Sequence, residues 1–280
     1  MAAAAGRLRR LTDAAAPRNG FGNGALIEQT PIVLSVAALS SLLVGLSKGG
    51  VPSVGTLAVP VLALVMAPVA AAALLLPIFI ASDVVGVWLY RREYSARNLF
   101  ILMPAALGGV ALGWAFGRWF SGAFIGLLVG AVGIFFCINA WVFARRPRPP
   151  RAADVPRGAF WGVLTGLASF VSHAGGPPFQ MYVLPQLLPK MVFAGTATIL
   201  FATLNAAKVV PYWQLGQFSG IEPSLTLWLA VPALAGTLVG RWLARNMPDR
   251  LFFRLVEIAL LGVSLKLVWD YARTLGIGGT

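Results

Sequence analysis

The chain has few charged residues for its length. Only 11% of its 280 residues are Asp, Glu, Lys or Arg, whereas 58% are hydrophobic. A typical soluble domain has about 25% charged residues, and it needs them to cover the surface that faces water. The scarcity of charge therefore predicts a membrane protein.

Cysteine and histidine are almost absent. The one cysteine, Cys137, lies in an apolar segment, which excludes an internal disulfide and a cysteine-based metal site. The one histidine, His173, leaves no His–Cys cluster that could bind a metal or activate a nucleophile. We therefore expect no enzyme, no metal site and no cofactor.

The net charge is +13, but the basic residues are not arranged as a nucleic-acid interface. They lie between apolar runs, with no basic face interleaved with stacking aromatics. This placement is typical of cytoplasmic loops under the positive-inside rule, and it predicts a bilayer rather than nucleic acid as the partner. The clusters are Arg91, Arg92 and Arg97; Arg145, Arg146, Arg148, Arg151 and Arg157; and Arg241, Arg245 and Arg250.

Hydrophobic runs divide the chain into two halves. The runs lie at 31–47, 51–66, 69–90, 98–117 and 121–144, then at 158–173, 177–189, 191–213, 223–243 and 250–272. Between the halves is a basic, proline-rich linker at 145–157, which we expect to be cytoplasmic. The predicted organisation is a flexible tail (1–30), a first repeat (31–144), this linker, a second repeat (158–273) and a short tail (274–280).

The halves correspond in detail. The segment Gly49-Gly50-Val51-Pro52 matches Gly175-Gly176-Pro177-Pro178, which lies 126 positions later (175 − 49). Pro104-Ala105 matches Pro232-Ala233 at a similar offset. Repeated halves are typical of secondary transporters, although oily, glycine-rich helices can also resemble one another by chance. Glycines spaced four apart in both halves favour close helix packing.

Orientation has two solutions. If every run crosses the bilayer, the halves are inverted and the N-terminal tail lies outside. If the runs beside each glycine pair are half-helices, fewer segments cross and the tail lies inside. The run 177–189 is too short and polar for a full span, so we expect a re-entrant element there.

Both glycine pairs are expected to interrupt a helix. Glycine and proline disfavour helix interiors, and broken backbone in a membrane is tolerated only inside protein or around a water-filled cavity. Helix N-termini at such breaks attract anions. Lys48 adds a positive charge at the first break and His173 a titratable group at the second. We expect the two breaks to meet near the membrane midplane.

The stretches "GLSKGGVP" (45–52) and "SHAGGPP" (172–178), the repeated P-A-x-x-G-G/T blocks and the two-half layout resemble the sulfite exporter TauE/SafE family over residues 31–272. This resemblance implies an integral membrane permease for small anions, with sulfite, sulfoacetate and other organosulfonates as family substrates. Many members have a G-x-G-G loop; here Lys48 and Ala174 precede the two pairs, a departure that bears on substrate choice.

Further polar residues lie within the apolar runs. Asp83 could carry a coupling proton, bind a cation or neutralise a lysine. Asn205 and Lys208 share a helix face, and Lys208 is expected to pair with Asp83, either for transport or as a structural ion pair. Thr198 is expected to bond its own helix backbone. The predicted substrate-binding residues are Ser47, Lys48, Gly49, Gly50, Ser172, His173, Gly175, Gly176, Gln180, Asn205 and Lys208, with Asp83 and His173 as candidates for proton or ion coupling.

Together these features predict an all-α, polytopic transporter of the inner membrane that moves a small anion by alternating access. Its driving force would be a proton or sodium gradient. The glycine ladders also permit a homodimer. A channel or a structural membrane subunit is the alternative, distinguished by the absence of saturation and counterflow.

Overall fold

The computed structural model describes residues 30–116 and 149–274, together with scattered positions from 127 to 141. Every regular element in these ranges is helical. The predicted tail at 1–30 (apart from its last residue), most of the run 121–144, the start of the linker and residues 275–280 lie outside the described residues. The helices are α1 (Pro31–Gly49), α2 (Gly55–Leu62), α3 (Pro68–Tyr90), α4 (Ala96–Phe116), α5 (Val155–Ser172), α6 (Gly176–Val183), α7 (Lys190–Gln214), α8 (Pro223–Asn246) and α9 (Asp249–Thr274), with 3₁₀ turns at Pro52–Val54 and Leu184–Gln186.

Five helices of the described part are long and apolar enough to cross a membrane. They are α1, α3 (from Val69), α4, α7 and α8. Large apolar side chains on their outer faces are exposed, including Phe100, Leu227 and Trp242. Such faces suit lipid rather than water. The chain is therefore an all-α, multi-pass membrane protein, as the composition predicted.

Glycine brings two pairs of helices into backbone contact. A Cβ on Gly45 of α1 would overlap the carbonyl oxygen of Ala233 in α8, and one on Gly166 of α5 would overlap that of Ala106 in α4. Only residues without a side chain allow this approach, so the predicted packing role of the glycine ladders is confirmed in these helices.

Helices end at both glycine pairs. Helix α1 ends at Gly49, and Gly50 takes a positive φ of 138° before the short α2 begins. Helix α5 ends at Ser172, His173 takes a left-handed φ of 54°, and α6 begins at Gly176. Helices α2 and α6 have eight residues each, about 12 Å of length, so neither crosses a bilayer.

The basic segments adjoin one side of the helix bundle. Tyr90, at the end of α3, donates a hydrogen bond to the carbonyl of Gly49 (2.5 Å). Arg241, near the end of α8, forms an ion pair with Glu93 in the α3–α4 turn (2.5 Å). This side also contains the starts of α4 and α7. The shared side of the arginines agrees with the positive-inside pattern.

The turn between α1 and α2 and the turn between α5 and α6 are directed oppositely. Helix α1 runs parallel to α8 and ends on the basic side. Helix α5 begins near that side, where Arg97 donates to the carbonyl of Ala153 (3.4 Å), and leads away from it. Helix α1 therefore begins on the side opposite the arginines, which was expected only if every run crosses the bilayer. Because α2 and α6 are too short to cross, neither of the two orientation solutions holds in full. The relation of the halves as repeats stays a prediction.

Candidate functional site

Both helix breaks line one cavity. Its volume is about 30 Å³, which is room for one or two water molecules. Helices α1, α3, α5 and α7 and the segment from Pro52 to Thr56 form its walls, so the predicted meeting of the two breaks is observed. The lining residues are Ser47, Lys48, Pro52, Gly55, Thr56, Phe79, Ser169, His173, Ala197, Thr198, Phe201 and Asn205.

A buried ion pair lies beside this cavity. The Nζ atom of Lys48, at the end of α1, is 2.7 Å from Oδ1 of Asp83 in α3. Lys48 is 4% exposed and Asp83 is 5% exposed. The other carboxylate oxygen of Asp83 accepts a hydrogen bond from Nδ2 of Asn205 in α7 (2.7 Å). Three transmembrane helices thus contribute to one polar cluster, which satisfies part of the requirement that a buried charge be paired.

Aromatic rings surround the Lys48 ammonium. Its Nζ is 5.3 Å from the ring centroid of Phe79 and 5.7 Å from that of Phe201. Both distances are within the range of a cation–π interaction. Within the described residues, the ammonium therefore has one carboxylate partner and two aromatic ring faces, and Lys48 lines the cavity.

His173 links the second break to the cavity. Its ring stacks on Phe79 at 5.1 Å and 6° between planes. Nδ1 is 3.1 Å from Nζ of Lys208, and Nε2 is 3.3 Å from the hydroxyl of Tyr212. Because Tyr212 donates its hydrogen to the carbonyl of Phe170 (3.1 Å), the neutral tautomer with hydrogen on Nε2 satisfies every contact. Nδ1 then accepts from Lys208.

The predicted pairing of Lys208 with Asp83 is wrong. Lys208 is fully buried, and its Nζ lies 3.2 Å from the carbonyl oxygen and 3.2 Å from Oγ of Ser169, in addition to the His173 contact. Three neutral acceptors thus take the three hydrogens of the ammonium. Sequence spacing placed Lys208 on the right face, but α5 rather than α3 supplies its partners.

The glycines of the two breaks lie where close approach is needed. Gly49 faces the backbone of Thr237 and Gly240 on α8, and the positive φ of Gly50 disfavours a side chain. A Cβ on Gly175 would be 2.7 Å from the carbonyl oxygen of Thr165.

Gly176 brings the second break close to the first. A Cβ added there would lie 3.0 Å from Cγ2 of Thr56, the second residue of α2, which follows the first break.

Three other residues were predicted to donate hydrogen bonds to the anion. Ser47 lines the cavity, but its hydroxyl donates to the carbonyl of Val44 (2.8 Å). Gln180 is fully buried on α6 and does not line the cavity. The side chain of Ser172 lies outside the described residues.

The segment from Gly45 to Gly49 also matches the pattern G-x-S-x-G, which is typical of the nucleophile elbow in hydrolases. That elbow requires a turn from a strand into a helix. Here the segment is the last part of α1, and its serine bonds to its own helix. The pattern therefore lacks the structural setting of a nucleophile.

Several cavity residues escaped prediction from the sequence. Thr198 was expected to bond its own helix, but its hydroxyl donates to the carbonyl of Lys48 (3.2 Å), so that expectation is wrong. Phe79 precedes Asp83 by four positions, and Phe201 precedes Asn205 by four. Residues four apart lie on the same face of a helix. This spacing to Asp83 and Asn205 was the signal in the sequence that could have identified the two phenylalanines.

The sequence of this chain is similar to those of known proteins. The chain is 30% identical over 143 residues to the methylamine utilization protein MauF of Methylorubrum extorquens, a match that covers 42% of this chain and 50% of that protein. It thus spans about half the length of the curated relative it matches. No solved structure gives a significant match. The model of the family described as "Sulfite exporter TauE/SafE" matches residues 37–267, and the chain therefore belongs to this family of membrane transporters.

Proposed function

We propose that the protein moves a small anion, sulfite or an organosulfonate such as sulfoacetate, across the inner membrane by alternating access. The observation that carries this proposal is the placement of Lys48. Its ammonium is buried at the end of a transmembrane helix, beside a cavity that both helix breaks line. An intramembrane lysine is costly to retain and is associated with substrate or ion pathways.

The balance of charge favours an anion. Two lysines, Lys48 and Lys208, and one carboxylate, Asp83, are buried in this region. With both lysines protonated, the positive groups among these three residues exceed the negative group by one, so the site favours an anion over a cation. Helices α2 and α6 also begin at or next to the cavity without a side-chain cap, so their N-termini add partial positive charge.

The lining favours a substrate with an apolar portion. Phe79 and Phe201 form one wall, and the Lys48 ammonium supplies the charge. A short organosulfonate has a charged sulfonate group for the ammonium and a small carbon portion that can contact such a wall. Because the cavity is about 30 Å³, we expect this conformation to be contracted and to widen when substrate enters.

The opposite directions of the two short-helix turns support alternating access. One turn leads to the basic side and the other leads away from it, so movement of each could open the cavity to a different side. Asp83 and His173 are the groups through which a proton could be coupled to this cycle, with sodium as the other candidate ion. A homodimer remains compatible with the proposal.

The test is a ligand screen followed by transport. Purified protein would be screened by thermal shift against sulfite, sulfate, thiosulfate, sulfoacetate, taurine and a carboxylate, at two pH values and with or without sodium. Methylammonium is the cationic comparison, because the relative MauF is a methylamine utilization protein. We expect stabilisation by a sulfur oxyanion or sulfonate, and no response to methylammonium.

Transport would then be measured in proteoliposomes. A carrier shows saturation and counterflow of the labelled anion, whereas a channel conducts without either. Stabilisation by methylammonium alone, or anion flux without counterflow, would contradict the proposal.

A further inference from the structure

The only carboxylate within ion-pair distance of Lys48, among the described residues, is Asp83. The two groups are 2.7 Å apart and both are buried. In this contracted conformation the cavity beside the pair is about 30 Å³, which is room for one or two water molecules. Because the Asp83 carboxylate already lies against the Lys48 ammonium, it competes with any substrate anion for the same positive charge.

We propose that Asp83 is the internal counter-ion of the empty carrier: it neutralises Lys48 when substrate has left, and so allows the empty protein to return. This inference rests on the proposed function. Without Asp83, the substrate-free protein would have to change the side to which its binding site opens while the buried ammonium is unpaired. An unpaired buried charge is strongly unfavourable. The loaded protein would not meet this barrier, because the substrate supplies the negative charge.

The surroundings of the pair support alternation between two partners. Asn205 donates to the second oxygen of Asp83 at 2.7 Å, so the carboxylate keeps one hydrogen bond when Lys48 turns to substrate. The ammonium lies between the rings of Phe79 and Phe201 rather than among further acceptors. Among the described residues, Asp83 is the one carboxylate in an ion pair with this ammonium.

Lys208 does not depend on Asp83 for a partner. Its ammonium contacts Ser169 twice and His173 once. These neutral acceptors remain on α5 and at the second break whether or not substrate is present. Asp83 is thus assigned to Lys48 alone, which makes its removal a selective perturbation.

The experiment separates exchange from net transport. Wild-type protein and Asp83→Asn protein would be reconstituted, loaded with labelled sulfoacetate (or the anion found in the screen), and diluted into buffer with or without unlabelled anion. Exchange needs only the loaded carrier to move, whereas net efflux also needs the empty carrier to return. For Asp83→Asn we expect net efflux to fall more than about tenfold, with exchange within about threefold of wild type.

Two further variants act as controls. Asp270→Asn makes the same chemical change in a carboxylate that pairs with Lys266 near the end of α9, half-exposed and outside the cavity lining. It should leave the ratio of exchange to net efflux unchanged. Asp83→Glu keeps the charge and should restore net efflux at least in part, which a loss of shape alone would not predict.

The outcomes are distinct. If wild-type protein exchanges no anion, both the proposed function and this inference fail. If wild type exchanges but Asp83→Asn keeps net efflux, or loses exchange and efflux equally, the inference alone is overturned.

A second measurement uses the wild-type protein and does not depend on the folding of a variant. Substrate that displaces Asp83 from Lys48 should increase the reaction of Asp83 with a hydrophobic carbodiimide, mapped by mass spectrometry. Unchanged or decreased labelling in the presence of saturating anion would contradict the counter-ion role.

Discussion

Replacement of Lys48 by methionine separates the structural and the binding roles of its charge. Methionine keeps an unbranched, flexible side chain beside the rings of Phe79 and Phe201, so packing against them is largely preserved while the two cation–π interactions are lost. The substitution removes the ammonium and leaves the Asp83 carboxylate buried with only its hydrogen bond from Asn205.

The expected cost to stability follows from this isolated carboxylate. Removing one partner of a buried ion pair typically destabilises by about 3–5 kcal/mol. The double variant Lys48→Met/Asp83→Asn replaces the pair with neutral groups of similar size and keeps the amide beside Asn205. Since neutral replacement of a buried pair is often without cost, we expect the double variant to recover stability to within about 1 kcal/mol of wild type.

The expected loss of anion affinity is not recovered in the same way. Truncating one partner of a buried, hydrogen-bonded charge pair costs about 2–5 kcal/mol of binding, which is about 30-fold to several thousandfold in Kd. Both the single and the double variant lack the ammonium, so both should bind the anion weakly. Stability and affinity would therefore separate in the double variant.

The assay is thermal unfolding in detergent, followed by titration with the anion that stabilises wild type. Wild-type affinity in the folded double variant would refute the assignment of Lys48 as the partner of the anion. Equal stability of all three proteins would refute the reading of the Lys48–Asp83 pair as a buried charge pair.

Three other substitutions test separate parts of the site and the fold. Asp83→Asn should remove the pH dependence of transport if the carboxylate carries the coupling proton; an unaltered pH profile of uptake would exclude that role. Gly176→Val should abolish anion binding, because its side chain would push against Thr56 where the two breaks come close (3.0 Å from a Cβ), and normal ligand-induced thermal stabilisation would count against it. Gly45→Leu should destabilise the protein by at least about 2 kcal/mol, because the new side chain would clash with α8. As a control, Gly108→Ala should leave stability unchanged, because a Cβ there meets nothing within 4 Å. Equal melting temperatures for the two variants would contradict the packing account.

Much of the architecture could be predicted because it depends on local chemistry. The apolar runs, the glycine pairs and the arginine clusters each report a constraint that a membrane places on nearby residues. The end of α1 at Gly49 and the start of α6 at Gly176 follow from glycine and proline alone.

The partners within the site could not be predicted, because they depend on how helices rotate and cross. Sequence spacing identified Lys48, Asp83 and Lys208 as buried charges, but it does not state which two meet. The rotation of α3 and α7 directs Asp83 to Lys48, and α5 offers Ser169 to Lys208. The spacing of residues along the sequence does not show which distant segments come into contact.

The side-chain contacts at the breaks could not be predicted from the sequence either. The left-handed conformation of His173 places its ring flat on Phe79 and between Lys208 and Tyr212. A lone histidine in an apolar run gives no sign of this geometry. The stacking depends on the exact point at which α5 ends, and such endpoints are set by tertiary contacts as well as by local sequence.

The central claim is that a small anion binds between the two helix breaks, and protection of a cavity cysteine tests it most directly. In a Cys137→Ala background, Ala197→Cys places a thiol on the cavity wall, and Arg92→Cys places one in the exposed turn after α3 as a control. Both would be labelled with a small sulfonate-bearing thiol reagent, with and without the anion identified in the screen. The account predicts that the anion slows labelling at position 197 and leaves position 92 unaffected; equal labelling at position 197 with and without saturating anion would contradict it.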